Sequence, residues 1–328
     1  MARDTRKQQL AKATYFKQKP DGQYERIIEG HFISRTVRLL HLFENNAGIK
    51  RKELLRKRLI LMADIFPCDV LAFSIMDNHV HLFLRLKPDE VDHWDAETLL
   101  RKWFKLHPPR GYKSSDEPKS EWIAKRIHNT ELLLRIRNVL RDVSELFKSL
   151  KGPLAQKWNR EDNVTGHFWE GRYKLFGVKG RSHRLNVMGY IDINPFAANM
   201  CDVPEDGDWT TLKDRVIAYQ KSDDPQNEGQ HPYAKLREEF PELGYKGYLN
   251  FIDKLSKKFR QGKQQLSEAL ASISERLKLA EDENIRLHDP SDASHTSDSI
   301  SPSEGANELS RIWRKMLDAT QQMLPNSS

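Results

Sequence analysis

Two apolar runs separated by a two-residue break constrain the fold of this chain more than any other feature. The first, CDVLAFSIM, spans residues 68–76, and the second, HVHLFLRL, spans residues 79–86. Both are rich in residues that favour strands, and the Asp77-Asn78 pair between them is typical of a tight turn. The pattern predicts two adjacent antiparallel strands.

The second run alternates strictly, and side chains of a strand point to opposite faces with a period of two. The even-numbered residues are aliphatic throughout and are predicted to face the core: Val80, Leu82, Leu84 and Leu86. The opposite face then carries His79 and His81 side by side, followed by Phe83 and Arg85. We therefore predict one buried face and one face that presents both histidines.

The remaining chain predicts helices and two further strands around this pair. Residues 30–40 and 167–178 contain candidate strands, and helical spacing of apolar residues is found in 50–66, 94–106, 122–158, 183–194 and 209–220. The order strand, helix, two strands, helices, strand, helix predicts an α+β fold. Specifically, we predict an antiparallel sheet with helices packed on one side, plus a helical C-terminal extension.

Shifts in composition suggest where the parts of the chain begin and end. The predicted parts are a basic arm over 1–28, the main domain over 29–221, a linker over 222–247, a charged helical extension over 248–288, a disordered linker over 289–305, and a C-terminal helix and tail over 306–328. This division predicts that the main domain keeps its fold when residues 222–328 are removed.

The charge balance points to a polyanionic partner. Lysine and arginine number 54 against 47 aspartates and glutamates, and the sequence pI is about 9.2. Two distant cysteines argue against a disulfide framework or a zinc ribbon. With no signal peptide and no apolar run long enough for a bilayer, we expect a cytoplasmic, nucleoid-associated protein without a membrane partner. The absence of a GxxxxGK[ST] loop predicts that no nucleotide cofactor is used.

Two pairs of residues could carry chemistry. Imidazoles two apart on a strand, as in His79 and His81, can grip one divalent ion. On a predicted helix, Tyr190 and Asn194 are four apart and share a face, so a nucleophilic phenol and an amide ligand could meet one phosphate. Taken singly, each pair has a bland alternative, because His-x-His arises by chance and Tyr190 could be a half-buried aromatic near a helix end at Pro195.

Basic and aromatic residues suggest contacts to nucleic acid. In the stretch WEGRYK, Arg172 and Lys174 could hold phosphates and Trp169 could stack on an unpaired base. The alternative is an ordinary strand edge with surface charge. The predicted outer face of helix 50–66 adds candidate backbone contacts at Arg51, Lys52 and Arg56.

Three stretches in this order resemble one known family. They are FSIMDNHVHLFLRL, GHFWEGRYK and YIDINPFAANM, and together they resemble the single-tyrosine HUH transposases, in particular the REP-associated tyrosine transposases. HUH denotes two histidines around a hydrophobic residue, here His79, Val80 and His81. The resemblance covers about residues 30–220 and leaves the tail outside it.

The resemblance implies a ferredoxin-like catalytic domain that is often dimeric and whose tyrosine helix can come from the partner subunit. It implies Mg²⁺ or Mn²⁺ bound by His79, His81 and Asn194, with Tyr190 as the nucleophile. The implied reaction is attack on a single-stranded DNA phosphodiester, which gives a 5′-phosphotyrosine and a free 3′-OH. The implied substrates are imperfect palindromes that fold into hairpins.

Two other functions remain open at the level of sequence. One is a non-catalytic protein that binds single-stranded DNA or RNA on the same fold. The other is a metal-dependent hydrolase that activates water, although it lacks a clear carboxylate ligand and leaves Tyr190 without a role. The intact set His79, His81, Tyr190 and Asn194 favours the transesterase.

Overall fold

The computed structural model describes residues 4–43, 45–221, 231–258 and 263–277. Within this part of the chain one antiparallel sheet is formed by β1 Thr14–Gln18, β2 Tyr24–Arg35, β3 Cys68–Ile75, β4 His79–Leu86 and β5 Lys174–Gly177. The strand order is β1-β2-β4-β3, and β5 pairs with β2 beyond the end of β1. Without β1, the order β5-β2-β4-β3 is the arrangement expected of a ferredoxin-like sheet.

The long strand β2 organises the sheet. Its first part pairs with β1 up to Ile28, and its second part pairs with β5 from Gly30 to Ile33. A Cβ on Gly30 would lie 2.5 Å from a Leu175 methyl carbon, so only glycine allows β5 this close. Strand β2 can therefore hold two partners on one edge and β4 on the other.

Helices surround the sheet and several begin at a capping side chain. They are α1 Arg6–Ala13, α2 Asn45–Ile65, α3 Ala96–Leu106, α4 Ser120–Ala124, α5 Thr130–Leu140, α6 Val143–Glu161, α7 Arg181–Asp192, α8 Asn194–Ala197, α9 Thr211–Gln220, α10 Leu236–Glu239, α11 Gly244–Lys257 and α12 Ile273–Arg276. Asp95, Asn129 and Asp142 accept a backbone N–H at the starts of α3, α5 and α6. No described helix has the length and apolar character needed to cross a membrane.

The predicted strand pair is confirmed at β3 and β4, and the α+β class is confirmed with it. The aliphatic face of β4 packs on helices α2, α3, α5 and α6, where Leu82 and Leu84 join Leu59 and Leu150 in one core. Burial of such side chains is the main favourable term for a fold of this kind.

Helices cover both faces of the sheet, which differs from the prediction of one side. Helix α7 lies against β3 and β4, and its Tyr190 contacts the ring of His81 on the face opposite Leu82. Phe83 on that face is fully buried. The alternation of β4 identified an aliphatic face correctly, but histidine and phenylalanine on the other face can also be buried under a helix.

The amino-terminal residues differ from the predicted arm. Helix α1 begins with a capping box between Thr5 and Gln8, and β1 follows directly and pairs with β2. Edge strands gain backbone hydrogen bonds without needing an apolar face, and β1 is largely exposed. This is why hydrophobic patterning did not reveal it.

The described residues after 230 pack on the main domain, which differs from the predicted linker over 222–247. Tyr233 is buried against Phe73, with the ring centroids 5.5 Å apart, and the Ala234 N–H donates to the Val70 carbonyl at 3.0 Å. The described residues up to 277 belong to one compact unit. The predictions for 222–230, 289–305 and 306–328 lie outside the described residues.

Removal of residues 222–328 is therefore expected to abolish folding rather than to leave a stable core. The deletion strips buried Tyr233, Leu236, Phe240, Tyr248 and Ile252 from the unit. At about 2–5 kcal/mol for each large apolar side chain, the loss exceeds a typical stability of about 5–15 kcal/mol. Circular dichroism and thermal melting measure the outcome, and a chain that ends at Ala280 is the control. A cooperative melt of residues 1–221 at the control's temperature would contradict this packing.

Candidate active site

The register of β2 against β4 assembles the site on the face opposite the aliphatic core. Arg35 pairs with His79, Ile33 with His81, and His31 with Phe83. Residues directly opposite each other in an antiparallel pair point to the same face. Strand β2 therefore adds a third histidine, His31, and an arginine, Arg35, beside the predicted pair.

The three histidines form one cluster. The rings of His79 and His81 are 4.8 Å apart between centroids, and His31 stacks on His81 at 5.0 Å. The Nε2 atom of His31 lies 2.8 Å from the Nδ1 atom of His81, which is hydrogen-bond distance. His31 and His81 are buried, whereas His79 is half-buried.

Helix α7 brings the predicted nucleophile to this cluster. The ring of Tyr190 meets His81 edge-on, with centroids 5.7 Å apart and an interplanar angle of 89°. The same ring is 6.0 Å from that of His31. Tyr190 is half-buried, so its phenol borders the cluster without being enclosed in the core. A sheet and a helix distant in sequence thus share one site.

Burial keeps the cluster uncharged. Desolvation lowers the pKa of His31 to about 3, with smaller effects from His79 and His183. The pKa of His79 falls to about 4, again chiefly through burial and then through the charges of Arg35 and Lys263. Burial also lowers the pKa of His81 well below its usual value. Neutral imidazoles are the form that binds metal ions.

The hydrogen bonds of His79 and His81 use their Nδ1 atoms and leave their Nε2 atoms available to a metal ion. Both Nδ1 atoms already have partners, since that of His79 lies 2.6 Å from the Asn78 Oδ1 and that of His81 lies beside His31. The Nε2 atoms are then the donors available to an ion. Among the described residues no group of three or more His, Cys, Asp or Glu is placed to hold a metal, so any third ligand among them would be of another kind.

Asn194 is the predicted third ligand and lies just after the tyrosine helix. Its Nδ2 atom is buried and makes no hydrogen bond within the described residues. Pro195 has no N–H to donate to the carbonyl four residues earlier, so α7 ends at Asp192 and Asn194 begins the short α8. The predicted single helix through Tyr190 and Asn194 is thus interrupted at Ile193.

A buried carboxylate fixes the end of the tyrosine helix. Asp192 is fully buried and accepts hydrogen bonds from the Thr211 hydroxyl at 2.6 Å, the Leu212 N–H at 3.0 Å and the Tyr248 hydroxyl at 2.6 Å. Desolvation raises its pKa. The carboxyl group of Asp192 joins α7 to α9 and α11, two residues from the predicted nucleophile.

Helix α11 packs on the back of α7 at a glycine. A Cβ on Gly189 would lie 2.5 Å from Phe251 Cε1 and 3.0 Å from Leu255 Cδ2. The absence of a side chain at Gly189 therefore sets how closely the two helices approach. The C-terminal segment, residues 231–277, supports the tyrosine helix from behind.

Several residues that were predicted to contact DNA form ion pairs within the protein instead. Arg51 is buried and paired with Asp162, and Lys52 is buried 2.7 Å from Asp77. Arg56 pairs with Asp214 at 2.8 Å. The predicted outer basic face of the helix over 50–66 is therefore turned inward at these three positions, because acidic partners distant in sequence lie beside them.

The aromatic candidate for base stacking is also part of the core. Trp169 is buried, packs against Phe43, Trp158 and Phe168, and donates its indole N–H to the Lys151 carbonyl. An indole enclosed in this way has no free face for a nucleic acid base.

The other two basic candidates remain near the surface. Arg172 is exposed, and Lys174 is half-buried at the start of β5. Lys174 pairs with Ile33, which in turn pairs with His81, so Lys174 shares the face of the histidine cluster. These two residues keep a position compatible with phosphate contacts.

Three residues near the cluster were not identified from the sequence: His31, Arg35 and Lys263. The i, i+2, i+4, i+6 spacing of Glu29, His31, Ile33 and Arg35 puts them on one face of a strand. Nothing in that spacing says which strand lies opposite. Lys263 lies far along the chain, and no local pattern connects it to the histidines.

Comparison with known proteins found no matching family model and no matching curated protein. Among solved structures, a REP-associated tyrosine transposase bound to a REP hairpin is similar, with 13% identity and a TM-score of 0.34. The match covers 60% of this chain and 83% of that one. A Deinococcus radiodurans R1 protein assigned as a transposase is similar with 15% identity and a TM-score of 0.25, over 50% of this chain and 88% of that one.

Replacement of Gly189 by alanine is expected to destabilise the protein by about 1–3 kcal/mol, because the new methyl group meets Phe251 and Leu255 and forces α11 away from α7. The matched control is Gly171→Ala, where an added Cβ has no neighbour within 4 Å and the backbone is not in the left-handed region. That control should gain about 0.4–1 kcal/mol, because alanine restricts the unfolded chain more than glycine does. Urea denaturation measures both variants, and equal stabilities would refute the close packing at Gly189.

Proposed function

We propose that this protein cleaves and rejoins single-stranded DNA through a phosphotyrosine intermediate formed on Tyr190. One observation supports the proposal most directly. The Tyr190 ring lies 5.7 Å from the ring of His81, and His81 is itself 4.8 Å from His79. A phenol beside a neutral imidazole pair combines a nucleophile with ligands for a divalent ion.

The proposed step conserves phosphodiester chemistry. The Tyr190 oxygen forms a bond to phosphorus while the bond to the 3′ oxygen breaks. The phenol loses its proton and the departing 3′ oxygen gains one, which leaves a 5′-phosphotyrosine and a free 3′-OH. Because the number of phosphate ester bonds is unchanged, the reverse attack by another 3′-OH rejoins DNA without ATP.

The metal proposed for the site is Mg²⁺ or Mn²⁺, held by His79, His81 and Asn194. When bound, the ion would polarise the scissile phosphate and stabilise negative charge in the transition state. All three ligands are neutral, and hard cations prefer anionic oxygen. The DNA phosphate would therefore supply the missing negative charge, so we expect DNA and metal to strengthen each other's binding.

Positive charges near the histidines fit a phosphate-bearing substrate. Arg35 and Lys263 both lie close enough to lower the pKa of His79 and His81. With its amide oriented to satisfy both groups, Gln264 donates to the Phe196 and Cys201 carbonyls at 2.9 and 3.1 Å, in the turn that follows Asn194. Gln264 thus ties the segment that carries the exposed Lys263 to the residues that follow Asn194. The proposed DNA surface consists of Lys263, Arg172 and Lys174. Arg35 adds positive charge beside the histidines, but its side chain is only 9% exposed and lies 3.9 Å from Glu170.

The second candidate function is binding of single-stranded DNA or RNA without cleavage. It would use the same charges but would give the Tyr190 hydroxyl no role. Hairpin DNA is the substrate class proposed here from the motif resemblance, and an association of two subunits stays a prediction. Tyr190 and both histidines come from one chain, so the proposed reaction does not require a second subunit to supply the nucleophile.

Replacement of Tyr190 by phenylalanine is expected to abolish covalent capture of DNA, because the attacking oxygen is gone. The assay mixes the full chain with a pool of labelled hairpin-containing single strands and Mg²⁺ or Mn²⁺, then resolves protein–DNA adducts on a denaturing gel. Binding measured by a mobility shift should change less than about twofold, since one hydroxyl group contributes little to an interface dominated by charge. Tyr24→Phe, at an exposed tyrosine of β2, is the matched control and should keep full adduct formation.

The same gel separates the candidate functions. EDTA, His79→Ala and His81→Ala should each remove the adduct, and added Mn²⁺ should restore only the wild type treated with EDTA. DNA binding without any adduct in the wild type would favour the binding protein. An undiminished adduct in Tyr190→Phe would mean that another residue is the nucleophile.

Replacement of Lys263 by glutamine is expected to weaken single-stranded DNA binding and to lower the slope of log K against log salt by about 0.7. The loss of one phosphate contact is the physical reason. Lys254→Gln is the matched control, because Lys254 is exposed on α11 and exerts no resolved effect on the histidines. Fluorescence anisotropy across a salt series gives both quantities. Identical slopes for the two variants would remove Lys263 from the DNA surface.

A further inference from the structure

We infer that His31 is a positioning residue that sets the tautomer and orientation of His81 for metal binding. This inference rests on the proposed metal site, but it concerns a residue that neither the motif nor the proposed ligand set includes. It is carried by a buried hydrogen bond between two imidazoles on neighbouring strands.

The geometry leaves His31 one polar partner. Its Nε2 lies 2.8 Å from the Nδ1 of His81, and the two rings are stacked at 5.0 Å with an interplanar angle of 28°. His31 is fully buried, and its Nδ1 makes no hydrogen bond within the described residues. The polar function of this side chain is therefore directed at His81.

The chemistry of imidazole defines what this bond can do. A neutral imidazole carries one proton, so one ring nitrogen donates and the other accepts. If His81 donates from Nδ1 to His31, its Nε2 must hold a lone pair, which is the form that ligates a metal. Ligand histidines in proteins commonly donate their second ring N–H to a carboxylate, a backbone carbonyl or water, which fixes both the tautomer and the ring orientation. In this site the nitrogen of His31 would be the acceptor.

The identity of the residue argues against a purely structural role. Phenylalanine would fill a similar space between Phe176 and Tyr190, both of which contact the His31 ring. It would do so without burying a nitrogen that lacks a partner. Burial of the His31 Nδ1 atom without a hydrogen bond costs folding free energy, and packing alone does not explain why a histidine occupies this position.

Strand β2 holds His31 in a fixed position next to His81. His31 lies opposite Phe83 in the register, so it reaches His81 diagonally across the pair. On its other edge, β2 pairs with β5, where His31 is opposite Phe176. A residue on a strand with paired neighbours on both sides has little freedom to move away from its partner.

The test compares two replacements of His31 by their Mn²⁺ affinity, measured by electron paramagnetic resonance on the full chain. His31→Phe removes the acceptor and keeps a ring of similar size, and it should weaken Mn²⁺ binding by about tenfold to a hundredfold. His31→Gln keeps an oxygen that can accept from His81, and it should recover most of the affinity. Phe176→Leu, which alters packing against His31 but leaves the hydrogen bond, is the matched control and should bind Mn²⁺ within about twofold of the wild type.

The outcomes distinguish this inference from the proposed function. If the wild type binds no Mn²⁺, with or without single-stranded DNA, the proposed metal site fails. If the wild type binds Mn²⁺ and a folded His31→Phe binds it equally well, the metal site stands and the role of His31 is refuted. Equal losses in His31→Phe and His31→Gln would also refute it, because the acceptor would not matter.

A second measurement needs no variant and remains decisive if His31→Phe fails to fold. Long-range ¹H–¹⁵N spectra of the wild type saturated with Mg²⁺ report which ring nitrogen of His81 carries the proton. We expect His81 protonated at Nδ1, with its Nε2 unprotonated. Protonation of His81 at Nε2 in the loaded protein would overturn the inference.

Discussion

The register between β2 and β4 is the constraint on which the site depends. It puts Arg35 opposite His79 and His31 within hydrogen-bond distance of His81, while Leu82 and Leu84 face the core. A slip of one residue in this register would turn His31 and Arg35 to the other face of the sheet, because side chains alternate along a strand. The aliphatic face of β4 opposes such a slip, since it would have to leave a closely packed core. Hydrophobic packing on one side of the sheet thus holds polar geometry on the other.

The tyrosine helix is positioned by contacts behind it as much as by the sheet in front. Asp192 binds groups from α9 and α11, and Gly189 allows α11 to approach closely. A buried carboxylate with three donors is a demanding arrangement, because loss of any donor leaves polar atoms unpaired in the interior. The C-terminal segment is therefore part of the folded unit that presents Tyr190. This gives a structural role to residues that lie outside the motifs of the family resemblance.

The electrostatics of the site are set by uncharged imidazoles and by positively charged side chains close to them. Burial keeps His31, His79 and His81 uncharged, and Arg35 and Lys263 add positive charge beside them. Among the described residues, no acidic side chains are grouped there to supply the anionic oxygens that usually hold a hard divalent ion. A phosphodiester would satisfy both the ion and the cations at once, so substrate and metal complement each other in the proposed reaction.

The sequence by itself determined the strand pair, its aliphatic face, the adjacent histidines and the order of most helices. These follow from local periodicity, because a period of two or 3.6 residues is written in consecutive positions. It also marked Tyr190 and Asn194, although only as members of a motif set.

Tertiary structure alone decided which basic residues form ion pairs within the protein, as Arg51 and Lys52 show. It alone decided that His31 meets His81 and that α11 supports Tyr190's helix. The physical reason is that each of these depends on a partner far away in the chain. Charge and side-chain type are local properties, whereas burial, register and pairing are properties of the assembled fold.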